Sequence, residues 1–256
     1  MTPDELKKKA QDPKYIAGIY NYCDRWCERC PFTSRCLNCE LAEGQFGDLE
    51  SVDISNEQFW KQFSKVMQLT MDMIKETAEE MGIDLDAIEV DESPPKDPPV
   101  PDLIGHLSKK YASLVNTWFE ANPSIYMEEE SKEGLSLISQ ENDVDQIGVD
   151  IEDTVEIIRW YQYFIHVKLH RACDSADEDA EDDGYPKDSD GSAKIALIGI
   201  DRSIAAWKIL LPHLTPDNTQ AIHLVQMLEN LKIRVEKCFP NARDFMRPGF
   251  DESNNE

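Results

Sequence analysis

Thr154-Val-Glu-Ile-Ile-Arg-Trp-Tyr-Gln-Tyr-Phe-Ile-His-Val-Lys-Leu-His-Arg-Ala172 is apolar on almost every side of a helical wheel. Only Glu156, Arg159, Tyr163, His166 and His170, at spacings of three and four, form a polar stripe along it. A helix that is hydrophobic nearly all round belongs inside a bundle rather than on its surface. Ser192 to Leu211 reads the same way, and its most apolar run, Ile195 to Ile200, ends at Asp201 and Arg202, too soon to span a membrane.

Working outward, the remaining periodicity is also helical. Ser55 to Gly82 opens on the capping-box pattern Ser55-Asn-Glu-Gln58 and places Phe59, Phe63, Val66, Met67, Ile74, Ala78 and Met81 mostly three and four apart. Met67, Met71, Met73 and Met81 read as gap-fillers of a core. Asp102 is placed as the N-cap of a helix carrying Leu103, Leu107, Tyr111, Leu114, Trp118 and Phe119 to the Asn122-Pro123 stop. Thr215-Pro216 is read as the start of a last helix, with Ala221, Leu224, Val225, Leu228, Leu231, Val235 and Cys238 in one stripe. The tail after Pro240 is expected to fold back through Phe245 and Phe250.

No strand-like alternation and no fixed-period repeat appears, so the fold class is all-α: a multi-helix, antiparallel-like bundle of about five or six helices with an amino-terminal cysteine-rich segment. Residues 1–50 are read as an N-terminal helix and that cysteine-rich metal-binding segment, and residues 51–256 as the bundle, the whole reading as one compact domain. Within it, Ser93 to Pro101 is a stiff proline-rich connector. Cys173 to Gly191 carries nine acids and reads as a mobile loop. Its Asp179-x-Glu181-x-Asp183-Gly184 starts like a calcium-binding EF-hand loop, but Pro186, Lys187 and Asp190 break the later positions.

Five of the seven cysteines fall in Cys23-Asp-Arg-Trp-Cys27-Glu-Arg-Cys30-Pro-Phe-Thr-Ser-Arg-Cys36-Leu-Asn-Cys39. Thiols at this density in a reducing compartment point to a metal, either an iron-sulfur cluster or zinc. Ile16, Ile19, Tyr20, Cys23, Cys27 and Cys30 have helical spacing, which predicts a helix over Tyr15–Cys30. On an unbroken helix Cys23 and Cys30 stand about 10 Å apart, too far for one zinc and within the reach of a larger cluster bound by Cys23, Cys27, Cys30 and Cys36. The zinc alternative uses the two pairs Cys27-x2-Cys30 and Cys36-x2-Cys39 and leaves Cys23 spare. Arg25, Arg29 and Arg35 either offset the thiolate charge or pair with Asp24, Glu28 and Glu40. The Cys23-x3-Cys27-x2-Cys30 spacing also occurs in radical S-adenosylmethionine enzymes, but Arg29 stands where those carry an aromatic residue, and their barrel strands are missing here. Cys173 and Cys238 are read as small buried hydrophobes at helix ends.

A second site is conceivable inside the bundle. If the polar stripe faces inward, Glu156, His166 and His170 join Glu120 and Asp201 as cofactor or metal ligands of a helical-bundle oxidoreductase; if it faces outward, it is a solvated edge. Asp201 is expected to find a cation on a neighbouring helix, with Arg159 or His170 in view.

Charge and motifs limit the remaining classes. Fifty-one acidic against 26 basic residues give a formal charge of −25, which repels nucleic acid. There is no phosphate loop, nucleophile elbow, HExxH or nucleotide fingerprint, which disfavours common hydrolase and kinase chemistry. With no secretory pattern at the amino terminus and no spanning run, the expectation is a cytosolic protein without a membrane. A third reading keeps zinc as a staple for a scaffold that binds a protein partner through the acidic loop or proline connector.

Overall fold

The computed structural model describes residues 2–46, 55–87, 102–125, 144–178, 187–214 and 218–251. Among these residues there are seven α-helices and no strands. The chain divides into two compact units, Met1–Lys96 with Arg247–Glu256, and Asp97–Met246. That division falls within the proline-rich connector, which itself lies outside the described residues.

The larger unit holds α4 (Asp102–Ala121), α5 (Val144–Glu178), α6 (Asp188–Leu210) and α7 (Thr219–Cys238). α4 packs on α5 and α7, and α6 packs on α5 and α7, so the four close a ring as in a four-helix bundle. Cross-helix bonds fix an antiparallel sense. Gln162 Nε2 donates to the Ala112 carbonyl at 2.8 Å and Ser108 meets His166 at 2.9 Å, while Arg171 and Tyr161 on α5 reach Asp188 and Arg202 on α6. Lys232 on α7 bonds Asp201 on α6.

The two all-round apolar segments do lie at the heart of this unit: Ile158, Tyr161, Ile165 and Leu169 of α5 and Ala196, Leu197, Ile200 and Trp207 of α6 are wholly buried. Gly199 lets the two axes approach, since a Cβ there would stand 2.9 Å from Tyr161 Cδ1 and 3.3 Å from Ile165 Cγ1. α5 is longer than its apolar run. It includes residues 144–153 and continues to Glu178, so Cys173 to Glu178, expected in the mobile loop, is helical, and Asp188 to Gly191 already belongs to α6. Asp188 and Asp190 sit in the first turn of α6, where the helix dipole favours acids, and Asp188 accepts from Arg171 and Ser175 of α5. Asp179 to Pro186 lies outside the described residues.

α7 starts later than Thr215-Pro216, which is also outside them. Its N-cap is Asn218, whose Oδ1 accepts from Ala221 N–H and from the Trp118 indole at 2.9 Å. Cys173 is buried as expected. Cys238 is exposed, because the last turn of α7 points it outward while Phe239 takes the buried position.

The smaller unit holds α1 (Pro3–Ala10), α2 (Leu37–Phe46) and α3 (Glu57–Met81). α1 begins in a capping box of Thr2 and Glu5. α3 is capped by Asn56, whose side chain accepts from Gln58 N–H at 2.9 Å, one residue after the Ser55 of the sequence pattern, and it ends at Gly82 in a left-handed conformation. Three of the four methionines of α3 are not core residues: Met67, Met71 and Met81 are exposed and Met73 is half-buried, and Ala78 is the one buried residue of this helix.

Candidate metal centre

The expected helix over Tyr15–Cys30 does not form. Gly18 at φ 72° and Arg25 at φ 61° break it, and the Asp24 side chain accepts from the Trp26 N–H in a local turn, as Asp12 does from Lys14 just upstream. What remains is a series of turns and two short 3-10 segments, Cys27–Arg29 and Thr33–Arg35, before α2 begins at Leu37. Ile16 N–H bonds the Arg35 carbonyl at 3.0 Å, folding the segment back on itself.

This fold-back changes the geometry of the thiols. Cys23, Cys27, Cys30, Cys36 and Cys39 all line one narrow cleft, together with Ile19, Tyr20, Asp24, Arg25, Trp26, Thr33 and Phe250. Trp26 and Ile19 are buried, and Phe250 meets Phe32 edge to face at 5.0 Å. The Arg29 guanidinium lies over the Trp26 ring at 4.0 Å.

The Cys27 and Cys30 backbones close a tight turn, Cys30 N–H to Cys27 C=O at 3.1 Å, and Phe32 N–H donates to Cys30 Sγ at 3.4 Å. Both thiols are free; the Cys39 S–H faces Cys27 as a weak hydrogen-bond donor, and Cys39 Sγ lies 3.8 Å from Glu43 Oε1. Burial pushes the thiols of Cys27 and Cys30 up, and that of Cys39 to about 12, so these three are protonated at neutral pH. The five sulfurs ring the cleft without closing on a point: among the described residues no group of three or more His, Cys, Asp or Glu side chains is disposed to hold a metal ion.

Glu40, next to Cys39, anchors the floor of this segment. Its carboxylate accepts from Lys9 at 2.5 Å, Lys14 at 2.8 Å and the Tyr15 hydroxyl at 2.6 Å. Lys14, Lys9 and Tyr15 hold its pKa down at about 2, from an ordinary 4.5. A depressed carboxylate stabilises the fold fully above its unfolded pKa and loses that contribution as pH falls through the folded one. The clamp is therefore expected to hold above about pH 4.5 and to release toward pH 2. An NMR titration of Glu40 should show its midpoint near the lower value and moving up in Lys14→Ala; a midpoint at the ordinary value in the wild type would remove the clamp.

The residues proposed for an interior site are not brought together. Glu120 is exposed and accepts from Asn116 on its own helix at 2.6 Å, and Glu156 is exposed. His170 is exposed and pairs with Asp174 at 2.6 Å. His166 is half-buried against Ser108, and burial, with His170 and Lys109 nearby, lowers its pKa. Asp201 bonds Lys232 and Arg243, each at 2.7 Å, rather than Arg159 or His170. Burial raises the Asp201 pKa, and the two cations more than offset this, leaving it below the ordinary value. Arg159 stacks over the Phe119 ring at 4.2 Å, so the stripe is the edge of the bundle and its cation belongs to packing.

No helix among the described residues is long and apolar enough to cross a membrane. The sequence matches no protein-family model, and neither a curated protein nor a solved structure resembles it at a significant level.

Proposed function

We propose that the protein is a cytosolic, all-helical metalloprotein whose thiol cleft takes a four-cysteine centre, an iron-sulfur cluster or zinc, in a redox, sensing or structural role. One observation carries this reading: five cysteines spread over seventeen residues of sequence all line a single cleft floored by apolar side chains. Unpaired thiols gathered by a fold have little use as packing, whereas thiolates around a cation neutralise one another's charge. Loading the cleft requires the sulfurs to move inward and to release their protons, so affinity rises with pH.

The loss of the helix over Tyr15–Cys30 removes the 10 Å separation that set zinc apart from a cluster. A second reading, zinc, gains from the turn at Cys27–Cys30, where the Phe32 N–H bonds sulfur, and from Cys36 and Cys39 standing together at the start of α2 on the same cleft. The two readings differ in their ligands. The cluster uses Cys23, Cys27, Cys30 and Cys36; zinc uses Cys27, Cys30, Cys36 and Cys39.

Elemental analysis and visible spectra of anaerobically purified protein separate them. Cys27→Ser is expected to lose the metal in either case. Iron with sulfide that disappears in Cys23→Ser and persists in Cys39→Ser identifies the cluster, and colourless protein with one zinc and the opposite mutant pattern identifies zinc. Wild-type protein free of both metals, or metal retained in Cys27→Ser, would overturn the thiol centre.

A further inference from the structure

Of the five thiols in the cleft, Cys23 and Cys30 are each held by the backbone. The Cys23 S–H donates to the Tyr20 carbonyl at 3.6 Å, and Cys30 Sγ accepts from the Phe32 N–H at 3.4 Å. Cys39 is turned toward another thiol instead, with its S–H directed at Cys27. Twelve residues separate these two in sequence, and the turns at Cys27–Arg29 and Thr33–Arg35 return the chain so that both line one cleft. A disulfide closes without refolding the chain only between cysteines whose side chains already converge. Cys27 and Cys39 meet that condition. Cys27 opens a three-residue 3-10 turn rather than lying inside a packed helix, so the last approach of the two sulfurs falls on a short turn.

The two thiols differ in access, which fixes the order of events. Cys27 is exposed, whereas Cys39 is buried beneath it at 7% exposure. A disulfide oxidant of the size of glutathione disulfide therefore reaches Cys27 first. The Cys27 thiolate attacks it, forming a mixed disulfide and releasing one glutathione; Cys39 Sγ then attacks Cys27 Sγ and expels the second. Two cysteine thiols lose two electrons, glutathione disulfide gains them, and the two protons leave on the two glutathione molecules. Cys27 belongs to both ligand sets set out above. Its oxidation removes one ligand from a cluster and, with Cys39, two from zinc.

We propose that Cys27 and Cys39 form a reversible disulfide that gates the thiol centre, releasing its metal when the glutathione pool is oxidised; the gating rests on the metal reading above, the disulfide does not. Full-length protein purified anaerobically is equilibrated with glutathione buffers from fully reduced to fully oxidised, alkylated, and digested with trypsin for mass spectrometry, while a chromogenic chelator reads released metal. Cleavage after Arg25, Arg29 and Arg35 places Cys27 on residues 26–29 and leaves Cys36 and Cys39 on one peptide. The oxidised protein is expected to carry residues 26–29 linked to the peptide that starts at Cys36. This link should survive in Cys36→Ser, disappear in Cys39→Ser and revert in reduced glutathione, with loss of metal rising in step with it. Thiols that all remain alkylated in fully oxidised glutathione, Cys27 joined to the Cys23 or Cys30 peptide, a link that persists in Cys39→Ser, or metal that stays bound while the link forms would each overturn the proposal. Protein that holds no metal when purified and still forms the link upholds the disulfide and removes the metal centre, so the two failures read apart.

Discussion

Trp207→Ala is expected to cost the four-helix unit about 3–5 kcal/mol, the range for truncating a large aromatic residue in a closed core. Trp207 is fully buried, its ring centroid is 4.9 Å from that of Trp118 at 83°, and its indole N–H donates to the Tyr111 hydroxyl at 3.0 Å. Two losses combine: the cavity left between α4 and α6, and the donor lost by a tyrosine hydroxyl that is itself wholly buried, where burial pushes its pKa far above the ordinary value. Trp207→Phe separates them. It keeps most of the apolar contact and removes the N–H, so about 1–2 kcal/mol is expected. Tyr111→Phe added to Trp207→Phe should recover part of that, because both ends of the bond are then apolar. Hydrogen exchange of peptides from α4, α6 and α7 reads the stability of this unit separately from the other. Protection in Trp207→Ala equal to wild type would mean that the aromatic cluster does not hold the ring of helices closed.

The helices of that unit were legible because their sequence periodicity and their burial have the same cause. Ile158, Tyr161, Ile165 and Leu169 recur at three and four and are all buried. Length was less legible. The acids that made Cys173 to Gly191 look unstructured include Asp188 and Asp190, which are stabilising where they fall, in the first turn of α6. In α3 the pattern correctly located an apolar face, but periodicity cannot say whether the same chain covers that face. The polar stripe of α5 posed the mirror problem, since spacing aligned Glu156, His166 and His170 without giving the direction of the stripe.

At the cysteines the error was one of conformation, and it mattered for chemistry. Apolar residues and thiols three and four apart between Tyr15 and Cys30 imitated a helix. The contrary signals were local: Gly18 and Asp24, each able to seed a turn. Arg25 at positive φ had no sequence signal, as arginine carries no preference for that region. α1 was missed although Thr2-Pro-Asp-Glu5 is a capping-box start, because a helix of eight residues that buries none of them shows no hydrophobic period.

The largest single-residue effect expected in the thiol unit is at a glycine, Gly249, which lets Phe250 reach the cleft. Gly249 has φ +76°, and a Cβ there would stand 2.9 Å from Ile16 Cδ1 and 3.1 Å from Ile19 Cδ1. Alanine in a left-handed conformation costs about 1–2 kcal/mol by itself. Overpacking adds about 1–3 kcal/mol, since Ile16 can swing aside more readily than buried Ile19. Gly82 is the control, with φ +69° and nothing within 4 Å of its would-be Cβ, so Gly82→Ala carries the conformational cost alone. Gly249→Ala should therefore be about 2–5 kcal/mol less stable than wild type by hydrogen exchange of residues 15–40, against about 1–2 for Gly82→Ala in α3. If the two substitutions cost the same, the isoleucines yield freely and Phe250 is held by something other than close packing. If Gly249→Ala costs more and also loosens Phe250, the wall it contributes beside Cys23, Cys27 and Cys30 opens to water, and whatever centre the thiols hold should then be lost to a chelator faster than from the wild type.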